Sequence, residues 1–171
     1  MPIPHALTRL TRNAWAGVPE GHNVPSGTMP RAPAARYAEF ETLQAAYRDS
    51  GGIARGDVLA SRMSAAGRGG YVDLARRIVA GQLFAFQWHE SFWLPMFQFD
   101  PLSLALQEGP RRVLDALRGV LDGWALSHWY VQPNDRLQGQ RPLDLMDVDP
   151  VGVLAAAHAD ARAPLPIRVL P

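Results

Sequence analysis

Three groups of residues could carry chemistry: five histidines, a run of aspartates, and arginines beside a glycine-rich turn. The histidines are His5, His22, His89, His128 and His158. No two stand at ligand spacing, and without cysteine no thiolate zinc site can be built. Asp144, Asp147 and Asp149 crowd together, but they lack the alternation of a calcium loop, so helix capping and solvation account for them better. Gly67-Arg68-Gly69-Gly70 is a turn and not a phosphate cradle, since no strand precedes it and the chain has no lysine to reach a phosphate. No Gly-x-Ser-x-Gly elbow offers a nucleophile. His89-Glu90 is expected at an exposed hairpin tip. The expectation is therefore no catalytic residue, no metal, no cofactor and no enzyme. The rival is a small enzyme with an unrecognised pocket of perturbed titratable groups.

That leaves the arginines. All 17 basic residues are Arg against 16 acids, for a net charge of +1, and the balance is local. Residues 36–100 hold seven Arg and seven acids; residues 101–171 hold seven and eight. A dedicated nucleic-acid binder concentrates positive charge to displace counterions, and only the window from Arg55 to Arg77 does so here. With 47% hydrophobic residues the chain can bury a core. Met1-Pro2-Ile3-Pro4-His5 does not begin a signal peptide, and no apolar run is long enough to cross a bilayer, so a soluble, cytoplasmic protein without a membrane partner is expected.

The elements that must position these residues are mainly helical. Residues 1–35, with Pro19, Gly21, Pro25, Gly27, Pro30 and Pro33, read as an arm without its own core. Tyr37, Phe40, Leu43 and Tyr47 recur at helical spacing over 36–50, and Gly51-Gly52 stops that helix. A second helix over 56–66 turns Val58, Leu59 and Met63 inward, and a third spans 71–80, closed by Gly81. Residues 83–88 and 92–97 are aromatic-rich and form a hairpin around the three-residue loop His89-Glu90-Ser91. Pro95 makes its second strand an edge. The hairpin aromatics exceed what two strands can hide, so they pack on helices, with a homodimer contact for the rest.

Past Pro101, residues Val113, Leu114, Leu117, Val120 and Leu121 form the apolar face of a helix behind Pro110. A helix from Trp124 to Val131 is broken by Pro133-Asn134, and a short helical turn begins at Pro142. The last helix starts at Asp149-Pro150 and is Ala-rich through Ala161. Residues 162–171, with three prolines, are expected to be an extended tail. The reading is a mainly α protein: a small helical bundle with one β-hairpin, divided as arm (1–35), helical module with hairpin (36–100), helical domain (101–161) and tail (162–171).

Helix, turn, helix, hairpin is the order of a winged helix-turn-helix module. In that reading Arg68, Arg76 and Arg77 reach DNA from the third helix and the hairpin is a wing. Asp73 and the tip residue Glu90 would then face phosphate. The other reading, a packing or dimerisation module with a solvated Arg face, stays open beside it.

The C-terminal third carries the most specific pattern. Residues 123–146 place Trp124 and Trp129 on one helix, then Pro133-Asn134, Leu137 before Gly139, and Arg141-Pro142-Leu143-Asp144-Leu145. Upstream stands Leu94-Pro95-Met96-Phe97-Gln98-Phe99-Asp100. In physical terms these are anchors and turns: Pro133 stops a helix, Asn134 caps a turn, Gly139 permits an unusual backbone angle, and the tryptophans are core anchors or partner contacts. Together the motifs resemble the toxin-binding domain of the MbcA/ParS/Xre antitoxins, over roughly residues 80–160.

The resemblance implies an antitoxin that binds a cognate toxin, often a RES-domain toxin that consumes NAD, covers its active-site entrance with its final helix and tail, and in several cases represses its own operon. It places the toxin contacts at Trp124, Trp129, Asn134 and Arg141, and in the tail at Arg162, Leu165, Ile167 and Arg168. The longer Cro-like DNA-binding region of the Xre members has no obvious match in residues 1–80. Operator DNA is therefore expected, if at all, through Arg68, Arg76 and Arg77. A DNA-binding regulator without a toxin is the alternative function.

Overall fold

A computed structural model describes residues 33–162. The chain divides into two units, residues 1–32 and 33–171, and the described residues all belong to the second. They form seven α-helices and a three-stranded antiparallel sheet: α1 (Pro33–Ala46), β1 (Ile53–Arg55), α2 (Gly56–Ala65), α3 (Tyr71–Val79), β2 (Phe86–Trp88), β3 (Ser91–Pro95), α4 (Glu108–Leu117), α5 (Gly123–Val131), α6 (Pro142–Leu145) and α7 (Pro150–Arg162). The fold is mainly α, as the periodicity predicts. Among the described residues, no helix is long and apolar enough to cross a membrane.

The sheet is more than a hairpin. Its order is β1-β3-β2, with Ile53 opposite Pro95 and Arg55 opposite Trp93 on one side of β3, and Phe86 opposite Trp93 on the other. The strand carrying Pro95 is therefore central and not the edge that its proline suggested. Pro95 is tolerated because it ends the strand; the next ladder bond is donated by Met96 N–H to the Gly52 carbonyl at 2.9 Å. The hairpin loop is also shorter than expected. Trp88 pairs with Ser91, so only His89 and Glu90 turn, with His89 at φ 52°.

Alternation along β3 divides the interior in two. Phe92 and Leu94 face a cluster built from Leu59 and Met63 of α2 and Leu74 of α3. Trp93 faces the larger cluster, where Phe40, Leu43 and Tyr47 meet Phe84, Phe97, Leu117, Tyr130 and Val153. This larger core draws on both halves of the described chain. Phe84 and Tyr130 stack at 5.7 Å, and Phe97 meets Tyr130 edge-on at 4.6 Å. The hairpin aromatics are thus largely absorbed within the chain.

Two apolar residues expected inside are not. Val58 is 51% exposed, because α2 turns Gly56, Leu59, Ala60 and Met63 inward. Val120 is 46% exposed, because α4 stops at Leu117 and Gly119, at φ 80°, throws the next residues off the helical phase.

One buried polar bond fastens α1's end to α5. The Tyr47 hydroxyl donates to the Ser127 carbonyl at 2.7 Å, 80 residues along the chain, and burial pushes its ionisation well above the usual phenol range. Tyr47→Phe leaves that carbonyl without its partner in a site no side chain vacates. The expected cost is about 1–2 kcal/mol, read as a lower urea midpoint with an unchanged slope.

Candidate partner-binding site

The C-terminal motif is built around a loop that closes on itself. Asp122 caps α5, its carboxylate accepting from Ala125 N–H at 2.7 Å, and α5 runs to Val131 before Pro133 ends helical bonding. Asn134 then does what its type predicts: its side-chain oxygen accepts from Arg136 N–H at 2.9 Å. The backbone of Asn134 bridges to Gln140, and the reversal passes through Gln138 at φ 58° and Gly139 at φ 78°. Leu137 drives the loop inward and is buried. Arg141 then makes a two-nitrogen pair with Asp144, both bonds 2.6 Å, which raises the Arg141 guanidinium above its usual range. Asp149 caps α7 by accepting from Gly152 N–H at 2.9 Å. Of the aspartates for which capping and solvation were expected, Asp149 caps α7, Asp147 is exposed, and Asp144 is exposed but also paired with Arg141, which the sequence reading did not foresee.

What locks the loop to α7 is a residue that the sequence reading passed over. Asp160 is 6% exposed. One carboxylate oxygen accepts from Trp129 Nε1–H at 2.9 Å and from the Asn134 side-chain amide at 2.8 Å. The other accepts from Arg136 Nε–H at 2.8 Å. A buried carboxylate is tolerated only when donors replace its lost water, and here three donors do so, one of them cationic. The available signal was phase: Val153, Ala156, Ala157 and Asp160 form the buried stripe of α7, so an acid stands where an apolar residue belongs. Arg136, the cationic partner, was likewise missed.

The expected partner-contact residues fall in different places. Trp129 and Asn134 meet at Asp160. Arg141 lies beyond the loop and pairs with Asp144. Trp124 points the other way, stacking on Trp88 at 5.8 Å and meeting Phe86 edge-on at 5.3 Å, so it anchors the hairpin and not the motif loop. Arg162 is exposed at the end of α7. Leu165, Ile167 and Arg168 lie outside the described residues.

Between the loop and α7 runs an open groove of about 540 Å³, lined by Arg136, Leu137 and Gln140 on one side and Gly152, Ala155 and Ala159 on the other. The small residues of α7 leave its floor unobstructed. Val151, 78% exposed, stands at the start of the same helix.

Arg68, Arg76 and Arg77 sit on the turn before α3 and on α3 itself. Arg68 and Arg76 are exposed, and Arg77 is half-buried. Glu90 and His89 are exposed at the hairpin tip, where the Tyr37 ring lies 5.2 Å from His89 and 5.4 Å from Trp88. The tip is therefore packed on α1 and does not project as a free wing. His128 is buried against Glu39 of α1, with Nε2 3.5 Å from the carboxylate, while His158 is exposed on α7. Among the described residues no cluster of histidines and acids could hold a metal ion.

No family model, no curated protein and no solved structure matches this chain.

Proposed function

We propose that this protein is a toxin-neutralising antitoxin, which binds a RES-type, NAD-consuming toxin and covers its active-site entrance. One observation supports the reading above the rest: three residues of the motif region, Trp129, Asn134 and Arg136, converge on Asp160, two residues before α7 ends. The motif spends its polar groups on aiming the last helix. Such an investment suits a protein whose contact surface is that helix and the segment beyond it. A pre-oriented helix loses less freedom on docking than a mobile one. The groove beside α7 gives a partner a concave surface, and the sequence beyond the helix holds Pro164, Pro166 and Pro171.

The test removes the reaching segment and leaves the aimed helix. Full-length protein and a variant ending at Arg162 are each co-expressed with the neighbouring gene of the native host; growth and cellular NAD are followed. The expected result is a stoichiometric complex, with NAD preserved by the full chain and lost with the truncated one. Because the truncation touches none of the buried contacts named above, its thermal midpoint should stay within about 2 °C. Full protection by the truncated chain removes the segment from the mechanism. Absence of any complex, with NAD unaffected throughout, removes the antitoxin reading.

A further inference from the structure

Among the described residues, Leu102 is the most exposed of the large apolar side chains, at 95%. It stands on a loop built to hold it there. Phe99 and Leu106 pair across an antiparallel bridge, and residues 100–105 reverse between them. Asp100 organises the reversal: its N–H donates to the Ala105 carbonyl at 2.8 Å, and its carbonyl accepts from Leu104 N–H at 2.9 Å. One of its carboxylate oxygens accepts from the Ser103 N–H and hydroxyl, each at 2.7 Å, and from Leu102 N–H at 3.2 Å. Leu104 is buried at φ 54°, in the left-handed region that leucine rarely adopts. The loop thus sinks Leu104 and lifts Leu102 clear. Single exposed apolar residues are ordinary on a protein surface, but a strained loop that fixes one outward points to a use.

The surroundings of the loop are cationic. Phe99 and Leu104 belong to the cluster that holds Met63 of α2 and Leu74 of α3, so the loop packs on those helices. Arg62, on the last turn of α2, and Arg68, in the turn that follows, are both exposed. The Ser103 N–H and hydroxyl hold the Asp100 carboxyl below its usual range, and the charge of Arg68 adds to the effect, so that guanidinium lies near the loop. The acids of this region are already engaged. Asp100 serves the loop, Asp57 is paired with Arg55, and Asp73 accepts from Gly70 N–H at 3.1 Å and from Arg76 Nη1 at 2.9 Å.

We infer that this corner of the protein binds the face of an anionic bilayer, with Leu102 entering the boundary between headgroups and acyl chains and Arg62 and Arg68 on lipid phosphates. A convex apolar tip beside cations suits that boundary, which offers negative charge and apolar depth together. A nucleic-acid duplex would take the arginines and leave Leu102 in water. The inference departs from the expectation of no membrane partner, which rested on targeting and spanning segments and does not bear on contact with a bilayer's face. It does not depend on the antitoxin reading, since the two surfaces share no residue.

The test sediments the full-length protein with vesicles of phosphatidylcholine containing roughly 30% phosphatidylglycerol, and with vesicles of phosphatidylcholine alone. The protein should pellet with the first, stay in solution with the second, and be released from the first at about 0.5 M salt. Leu102→Ala should weaken binding about tenfold. Arg62→Ala and Arg68→Ala should weaken it roughly fivefold each. Val148→Ala removes another exposed apolar side chain, 79% exposed just before α7, and should change nothing. All these side chains are exposed, so circular dichroism of the variants should match the parent. Failure to pellet with anionic vesicles overturns the inference, as does equal binding to both kinds of vesicle. So does binding that Leu102→Ala leaves within about a factor of two, or that Val148→Ala weakens as much. Retention on duplex DNA in place of vesicles would assign the arginines to nucleic acid and overturn it as well.

Discussion

Asp160→Ala should lower the thermal midpoint of this protein by roughly 10 °C, more than truncating any exposed charge on α7. The change strands the Trp129 indole N–H inside the core and takes from the Asn134 amide and Arg136 guanidinium the acceptor that holds them. A buried donor left without its partner costs about 1–3 kcal/mol, and removing one member of a buried ion pair costs about 3–5 kcal/mol. Arg136 is half-exposed and regains water, which argues for the lower end of that range. About 3 kcal/mol in a domain of this size corresponds to the stated shift. Arg136→Ala is the internal control: it leaves Asp160 with Trp129 and Asn134 and should cost less than half as much. A fall below about 3 °C for Asp160→Ala, by calorimetry, would mean that the carboxylate is not what holds the loop to α7.

Gly123→Ala should be as damaging for an unrelated reason. A Cβ at this position would sit 1.9 Å from the carbonyl oxygen of Ala85 and 3.3 Å from the Cα of Phe86. Both are backbone atoms, so no side chain can turn away; α5 or the hairpin must shift, and Trp124, Phe86 and Trp88 would lose their present stacking with it. Overpacking of this kind costs about 3 kcal/mol or more. Gly139→Ala makes the comparison informative. Its φ of 78° also favours glycine, but no atom lies within 4 Å of the added carbon, so only backbone strain of about 1 kcal/mol is expected. Equal urea midpoints for the two variants would show that the close approach of α5 to the hairpin is not a constraint.

How much of this was legible beforehand depends on the range over which each feature is decided. The helices announced themselves because periodicity and stop signals are local: Tyr37, Phe40, Leu43 and Tyr47 ending at Gly51-Gly52, or α5 ending at Pro133. The strand Ile53–Arg55 did not, since three residues without alternation become a strand only by pairing with β3, forty residues later. That unseen pairing also explains the misreading of Pro95. In the candidate site, the turn chemistry of Asn134, Gly139 and Asp149 was readable one residue at a time. The convergence on Asp160 was not, because its donors lie 24 to 31 residues away and no local rule links them. Val120 failed because α4 ends at Leu117, short of the apolar face expected to include it, and Val58 because α2 presents Gly56, Leu59, Ala60 and Met63 to the core instead.

The knot at Asp160 also bears on how such a protein can change over generations. Trp129, Asn134, Arg136 and Asp160 answer to one another, so a substitution at any one weakens the rest until a compensating change arrives. The last helix cannot be exchanged with that of a related chain unless the loop travels with it. Val151, Ala155, His158 and Arg162 are under no such mutual obligation: they lie on the outer side of the same helix and can drift while its direction is preserved. The direction of the last helix and the make-up of its exposed side are thus carried on different residues, and the exposed side can vary without losing the geometry that presents it.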